Sequence, residues 1–277
     1  MLKCLWGSPF LQYVAALYFT GFPEYAIGLR LFTDLNREQL GQAAADSLVV
    51  FPIGATEQHG PHLPTGTDFY TVEAICREAA TRASGQIPVI VTPALPFGSS
   101  DHHLIYGGTM SLSTETYYKV LRELLESLVT DGFKRIFVVN GHGGNHEIAQ
   151  LAVRDVALKH PVRAAAGSYW VIAWDALIGV EAHKERWLPG HAGDFETSMM
   201  MSLRGDIVPA ERPHRDEIVD TDPRAYAHFY RHERHGFWRD INGFTDSPDR
   251  ATKEKGDRDR GAIVGALADA FVTFYRG

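Results

Sequence analysis

Cysteine is nearly absent: of 277 residues only Cys4 and Cys76 carry a thiol. That argues against a disulfide framework and for a reducing compartment, the cytoplasm. Excess positive charge is missing too. With 27 Lys and Arg against 34 Asp and Glu, the net charge of −7 offers no basic footprint for nucleic acid or an anionic membrane. No repeat or low-complexity tract occurs, and no G-x-S-x-G motif supplies a serine nucleophile. Long apolar runs are also lacking. The nearest approach, "CLWGSPFLQYVAALYFTGF" at residues 4–22, is broken by Pro9 and Gln12 and has no small-residue cleavage pattern, so it reads as neither a membrane span nor a signal peptide. We take residues 1–30 as a packing or subunit-contact arm ahead of one domain over 31–277.

What is present is a chain with 45% apolar residues, enough for one large core. "NREQLGQAAAD" predicts a short helix capped by Asn36. "SLVVFPIG" is a valine-rich run of strand length, the pattern of a strand buried on both faces. "DFYTVEAICREAATRA" predicts a helix opened by Asp68, and "IPVIVTPAL" a second strand. "STETYYKVLRELLESLVTDG" predicts a helix between a Ser113 cap and a Gly132 stop. "KRIFVVN", "GHGGN" and "HEIAQLAVRDVALKH" repeat the order strand, turn, helix. "VRAAAGSYWVIA" holds a fourth strand, and "RGAIVGALADAFVTFYR" is the last helix. Strands alternating with helices predict an α/β fold, a three-layer α/β/α sandwich around a mainly parallel sheet. Residues 211–260 are charged and aromatic, with little periodicity, and hold His214, His228, His232 and His235. They read as an ordered excursion with a solvated face.

In an open parallel sheet, ligands bind beyond the carboxyl ends of the strands. There the sequence gathers its polar residues: "GATEQHGPHLPTGTD" after the first strand, "PFGSSDHH" after the second, "NGHGGNHE" after the third and "HAGDFET" after the fourth. Alternation along an extended segment puts Glu57 and His59 on one side and Gln58 on the other. An aspartate opening a helix is ordinarily a cap, and a histidine in a loop is ordinarily solvated or structural, as read here for His62, His102 and His146. Convergence of four segments sets apart Glu57, His59, Asp68, His142 and Glu196. These mixed carboxylate and imidazole donors suit Zn²⁺, Mn²⁺ or Fe²⁺, and five of them suit two ions sharing one carboxylate. Tyr169, Trp170, Trp174 and Trp187 precede His191, where rings either pack the core or stack on a flat substrate; Trp174 is the candidate wall.

"ATEQHGPHLPTGTD", "YGGTMSLS", "NGHGGN", "HAGDFETS" and "GFTDSPDRATKEKG" resemble the motifs of the creatininase (creatinine amidohydrolase) family, from about Ser47 to the C-terminus. The resemblance implies that Glu57, Asp68 and His142 hold one metal, and that His59 and a bridging Asp68 hold the other. In creatininase itself a glutamate two residues past the third motif's histidine completes the second site. Gly144 stands there in this chain, as in the family's formamide-hydrolysing and peptide-trimming branches, and Glu196 is the replacement ligand. The resemblance further makes His191 the proton-transferring histidine and implies a hexamer. The expected activity is hydrolysis of a non-peptide C–N bond in a small amide, cyclic amide or formamide, by a hydroxide held between two divalent ions. Gly143, Gly144 and the Asn145 amide are candidate oxyanion donors. A trimming peptidase and a silent metal-binding protein are the alternatives.

Overall fold

The structure, a computed structural model, describes residues 28–184, 186–216 and 234–277. The apolar arm, Cys4, His228 and His232 lie outside the described residues. In chain order the elements are β1 (Arg30–Leu31), α1 (Arg37–Ala43), β2 (Leu48–Ile53), α2 (Thr67–Ala83), β3 (Val89–Val91), α3 (Thr114–Thr130) and β4 (Arg135–Asn140). They continue with α4 (His146–Lys159), β5 (Arg163–Ser168), α5 (Tyr169–Ile172), α6 (Trp174–Gly179), α7 (Asp194–Arg204), α8 (Phe237–Asp240) and α9 (Lys253–Arg276). Among the described residues no helix is long and apolar enough to cross a membrane.

Among the described residues, five strands form one parallel sheet in the order β1-β3-β2-β4-β5. β2 is its spine, in register with β4 from Leu48 against Arg135 to Ile53 against Asn140. Every residue of β2 is buried, because its side chains feed two cores in alternation. Leu48 and Val50 pack with Val72 and Ile75 of α2 and Leu267 and Phe271 of α9. Val49, Phe51 and Ile53 pack with Tyr117, Leu121 and Leu125 of α3 and Ile148 and Val153 of α4. Each fully buried Val, Leu or Phe contributes roughly 1.5–3 kcal/mol by leaving water, which makes this layered arrangement the stable one. The predicted sandwich is what forms.

Local signals set most boundaries. The Asn36 side chain accepts from the Glu38 and Gln39 amides while Gln39 returns a bond to the Asn36 N–H, a full capping box on α1. Ser113 caps α3, and Gly132 past its end has φ +100°, a conformation that favours glycine. The two-residue β1, paired to β3 through Arg30 and Ile90, carries no sequence signature, and Arg30 belongs to the sheet rather than to the arm. The last helix begins at Lys253, well before the apolar stretch from Arg260 that predicts it.

Connectivity places the site. β2 runs into α2 on one face of the sheet, while its neighbour β4 runs into α4 on the other. Their loops diverge at the carboxyl edge, the place where open parallel sheets bind ligands.

Candidate metal centre

Four segments bring side chains together at that edge. Glu57 and His59 follow β2. Asp68 projects from the first turn of α2, where Gly66 is the N-cap and no side chain caps, so its carboxylate is free for the site. His142 follows β4. Its N–H bonds the Asn140 side chain, which donates to the His142 carbonyl in return. Glu196 sits in the first turn of α7, its Oε2 accepting from the Ala192 amide at 2.6 Å. All are buried: Glu57 and His59 at 0% exposure, Asp68 and His142 at 3%, Glu196 at 7% and His191 at 6%.

The Asp68 carboxylate divides the cluster in two. Its Oδ2 lies 3.1 Å from His142 Nδ1, which is itself 3.2 Å from Glu57 Oε1. Its Oδ1 lies 3.1 Å from His59 Nε2, which is 3.6 Å from Glu196 Oε2. Donors about 2.0–2.2 Å from one tetrahedral ion stand roughly 3.3–3.6 Å apart, so both halves have donor spacings near those of a divalent cation's shell. Both oxygens of Glu57 and Oδ2 of Asp68 are buried without an aligned hydrogen-bond donor. Among the described residues, the ion pairs of these three carboxylates are all with histidines. Buried carboxylates lacking a strong cation are costly. The donor set fits divalent metal ions.

The outer ring nitrogens are tied to main-chain carbonyls. His59 Nδ1 lies 3.1 Å from Glu57 O, His142 Nε2 3.1 Å from Ser99 O, and His191 Nε2 3.0 Å from Gln58 O. A carbonyl only accepts, so in the neutral rings these nitrogens carry the proton and the inner ones present lone pairs. Without cations, negative charge dominates. Burial pushes the His59 imidazole down, but Asp68, Glu196 and Glu57 outweigh it and raise the pKa to about 10. Burial likewise opposes, and Glu57 and Asp68 overcome, in raising that of His142. Burial lifts Glu196 to about 8, with His59 opposing and Asp68 reinforcing. Burial and the neighbouring His103 and His59 hold His191 well below the usual histidine range.

Other sequence expectations land elsewhere. Trp174 packs partly buried against the core that holds Tyr169, Trp170 and Phe195; the ring near the imidazoles is Trp238 of α8, 5.1 Å from His191 and 4.5 Å from His103 between centroids. The Asn145 N–H is already engaged by the His142 carbonyl at 3.2 Å, so it is no oxyanion donor. Its side chain instead accepts from the Ser99 N–H and donates to the Gly54 carbonyl, tying the loops after β2 and β3 to α4. Gly143 has open space over its missing Cβ. A Cβ at Gly144 would stand 2.1 Å from the Ser99 carbonyl and 2.6 Å from His142 Nε2, so the local backbone admits only glycine there. His62 and His146 bond the hydroxyls of Thr197 and Ser168 at 3.0 and 2.7 Å, as structural residues do.

Gln58 does not face away. The chain turns at Gly60 (φ +62°), with Gln58 Oε1 accepting from the Gly60 N–H at 2.9 Å, and its side chain is folded in against His103 and His191. His102, read above as solvated or structural, and its neighbour His103, not singled out by the sequence, also join the cluster. His103 Nε2 is 3.5 Å from Glu57 Oε1, and the His102 ring stacks on His142 at 5.7 Å. Their position in "PFGSSDHH", just past β3, was the available signal.

The creatininase family profile, described as creatinine amidohydrolase, matches residues 33–272. The creatinine amidohydrolase of Pseudomonas putida is 28% identical over 242 residues, covering 82% of this chain and 90% of that protein. The mycofactocin precursor peptide peptidase of Mycolicibacterium smegmatis is 29% identical over 233 residues, covering 80% and 83%. A creatininase crystal structure superposes with a TM-score of 0.72 at 27% identity, over 89% of this chain and 98% of that one. A point-mutant creatininase of Zn–Zn type and a manganese creatininase, each 26% identical, share the fold with TM-scores of 0.66 and 0.69. A family match over most of the chain, the shared fold and the converging carboxylates and imidazoles lead to one conclusion: this protein is a member of the creatininase family.

Proposed function

We propose that the protein is a metal-dependent hydrolase of an amide C–N bond in a small molecule, a cyclic amide or formamide. The observation that carries this is the Asp68 carboxylate, shared between two donor sets that are separately suited to a divalent ion. Glu57, Asp68 and His142 would hold one ion, and His59, Asp68 and Glu196 the other. Zn²⁺, Mn²⁺ and Fe²⁺ fit these mixed donors, and the Zn–Zn and manganese creatininases support the first two. Two such ions would lower the pKa of a water and polarise the amide carbonyl.

The chain's own residues complete the chemistry. His191 presents a lone pair at Nδ1, 3.6 Å from Glu57 Oε1. It takes a proton from water as the C–O bond forms and returns it to the departing nitrogen, so amide and water become acid and amine. Burial keeps its imidazole neutral beforehand. The N–H groups of Gly143 and Gly144, at the start of the turn leading into α4, are the remaining main-chain candidates for the oxyanion.

Cleavage of a short peptide is the second reading. It is favoured by Gly144, where creatininase has a glutamate, and by the similarity to a peptide peptidase. Elemental analysis with a screen of creatinine, other cyclic amides, formamides and short peptides decides between them. Turnover of peptides alone would replace the small-amide reading. No turnover with both ions bound would leave a metal-binding protein.

A further inference from the structure

We infer that Gln58 is a positioning residue that fixes two stacked imidazoles in opposite polarity toward the site, His191 offering a lone pair and His103 an N–H. The side-chain amide of Gln58 cannot be turned over. Its Oε1 meets the Gly60 N–H, which only donates, and its Nε2 meets the Gly243 carbonyl at 3.2 Å, which only accepts. Nε2 also lies 2.9 Å from His103 Nδ1 and 3.0 Å from His191 Nε2. It has two hydrogens for these three neighbours.

Three arrangements compete. The one that sends the hydrogens to His191 Nε2 and Gly243 O forms only two bonds, leaving His103 Nδ1 without a donor and the Gln58 carbonyl facing a bare nitrogen. If the hydrogens go to both imidazoles, two bonds form, the Gly243 carbonyl gets none, and the Gln58 carbonyl faces an unprotonated His191 Nε2 at 3.0 Å. If they go to His103 Nδ1 and Gly243 O, His191 Nε2–H is free to donate to the Gln58 carbonyl, and three bonds form. Buried polar groups settle into the better-satisfied network. In it His103 Nδ1 accepts, so its proton sits on Nε2, and His191 carries its own on Nε2 with Nδ1 bare. These two inward nitrogens flank one oxygen: His103 Nε2 and His191 Nδ1 are 3.5 and 3.6 Å from Glu57 Oε1. The rings stack at 4.2 Å between centroids and 20° between planes, which keeps them in register.

The consequence rests on the hydrolase reading. His103, protonated inward, is not a metal ligand; it is a neutral donor placed for a substrate carbonyl oxygen, beside the His191 acceptor that handles the proton. Gln58 thereby gives two chemically identical side chains two roles, its side-chain amide setting His103 and its main-chain carbonyl setting His191.

The test needs no substrate. In protein with ¹⁵N-labelled histidine, with and without added Zn²⁺, the ring nitrogen shifts report which atom is protonated, and His103→Phe identifies the His103 signals. Wild-type protein should show His103 protonated on Nε2. Gln58→Glu turns the donor into an acceptor and should move that proton to Nδ1. Gln58→Met should leave His103 with no fixed tautomer, and it carries the test if the glutamate variant does not fold. His191 should stay protonated on Nε2 in all of them, because its acceptor is main chain. A wild-type His103 protonated on Nδ1, or one unmoved by both variants, overturns the inference. Zinc counted in the same samples tests the hydrolase reading separately: no bound zinc with the tautomers as expected sinks that reading and not this one.

Discussion

Asp68 is the residue on which the two donor sets meet, so its removal should be felt on both sides. Asp68→Asn keeps the shape and one oxygen but loses the charge; we expect metal content to fall from about two ions per chain to less than one. Glu57→Gln should lower mainly the occupancy of the half that contains His142. Elemental analysis of both variants checks this, and equal losses would refute the division by Asp68. His191→Ala should keep both ions and lose most turnover; loss of metal would make it a ligand. Gly144 gives a different outcome. Restoring creatininase's glutamate at this position cannot restore creatininase's site, because the first added carbon meets the Ser99 carbonyl and the His142 ring. Gly144→Ala should cost roughly 1–3 kcal/mol by overpacking, read as a lower urea midpoint. His62 supplies the pH dependence. Burial, then the charges of His59 and Arg212, lower its pKa to about 4, against about 6.5 unfolded. The unfolded chain therefore binds a proton that the folded chain refuses, and stability falls as pH drops from 6.5 toward 4, on the order of 3 kcal/mol for this residue. His62→Gln should flatten that part of the acid limb of a urea-midpoint profile.

At the scale of elements, α7 carries Glu196 and is held to α9 by buried charge. Arg186, 5% exposed, pairs with Asp194 at the start of α7 and with Asp259 of α9, and Lys255 reaches Asp194 Oδ2 at 2.6 Å. Removing Asp259 takes the closer partner from the buried Arg186 and leaves it only the 3.5 Å contact with Asp194, a loss of at most about 3–5 kcal/mol. We expect Asp259→Ala to lower the melting temperature and loosen the Glu196 half of the site before the Glu57 half, as a metal titration would show. This network also explains what the sequence conceals. Regular elements were legible where burial is apolar and periodic: β2, β4, α3 and α4 follow from alternation, apolar period and caps. The first turns of α9 bury Gly256, whose Cβ would meet the Ser198 carbonyl, and Asp259, so no hydrophobic stripe announces them. The site divides likewise. That Glu57, His59, Asp68, His142 and Glu196 come together was legible because each follows a strand or opens a helix at one sheet edge. Gln58 was misread because the alternation of an extended strand fails at the Gly60 turn. Trp238 was missed because it arrives from a segment without periodicity.

At the scale of the whole molecule, the described surface exposes large apolar side chains near the site, Leu104 at 55% and Met110 at 59%, and elsewhere Leu158 at 72%. With the family's hexamer as the expectation, light scattering at micromolar concentration should report an oligomer rather than a monomer. The ions themselves should act as a clasp on the fold. Their candidate ligands come from the loop after β2, the first turn of α2, the loop after β4 and the first turn of α7, segments far apart in sequence. Unfolding scatters these donors, so cations bind the native chain far better than the unfolded one. Binding then stabilises by about 2.7 kcal/mol at a free concentration of 100 times Kd for each site. For a chain of this size, 1 kcal/mol shifts the melting temperature by roughly 2–4 °C. Chelation should therefore lower it by roughly 5–10 °C per ion lost, and Zn²⁺ or Mn²⁺ should restore it. Asp68→Asn removes the shared ligand, so chelator and metal should barely move its melting temperature. A wild-type melting curve indifferent to chelator, in protein shown to have carried metal, would mean that the ions bind without joining these elements.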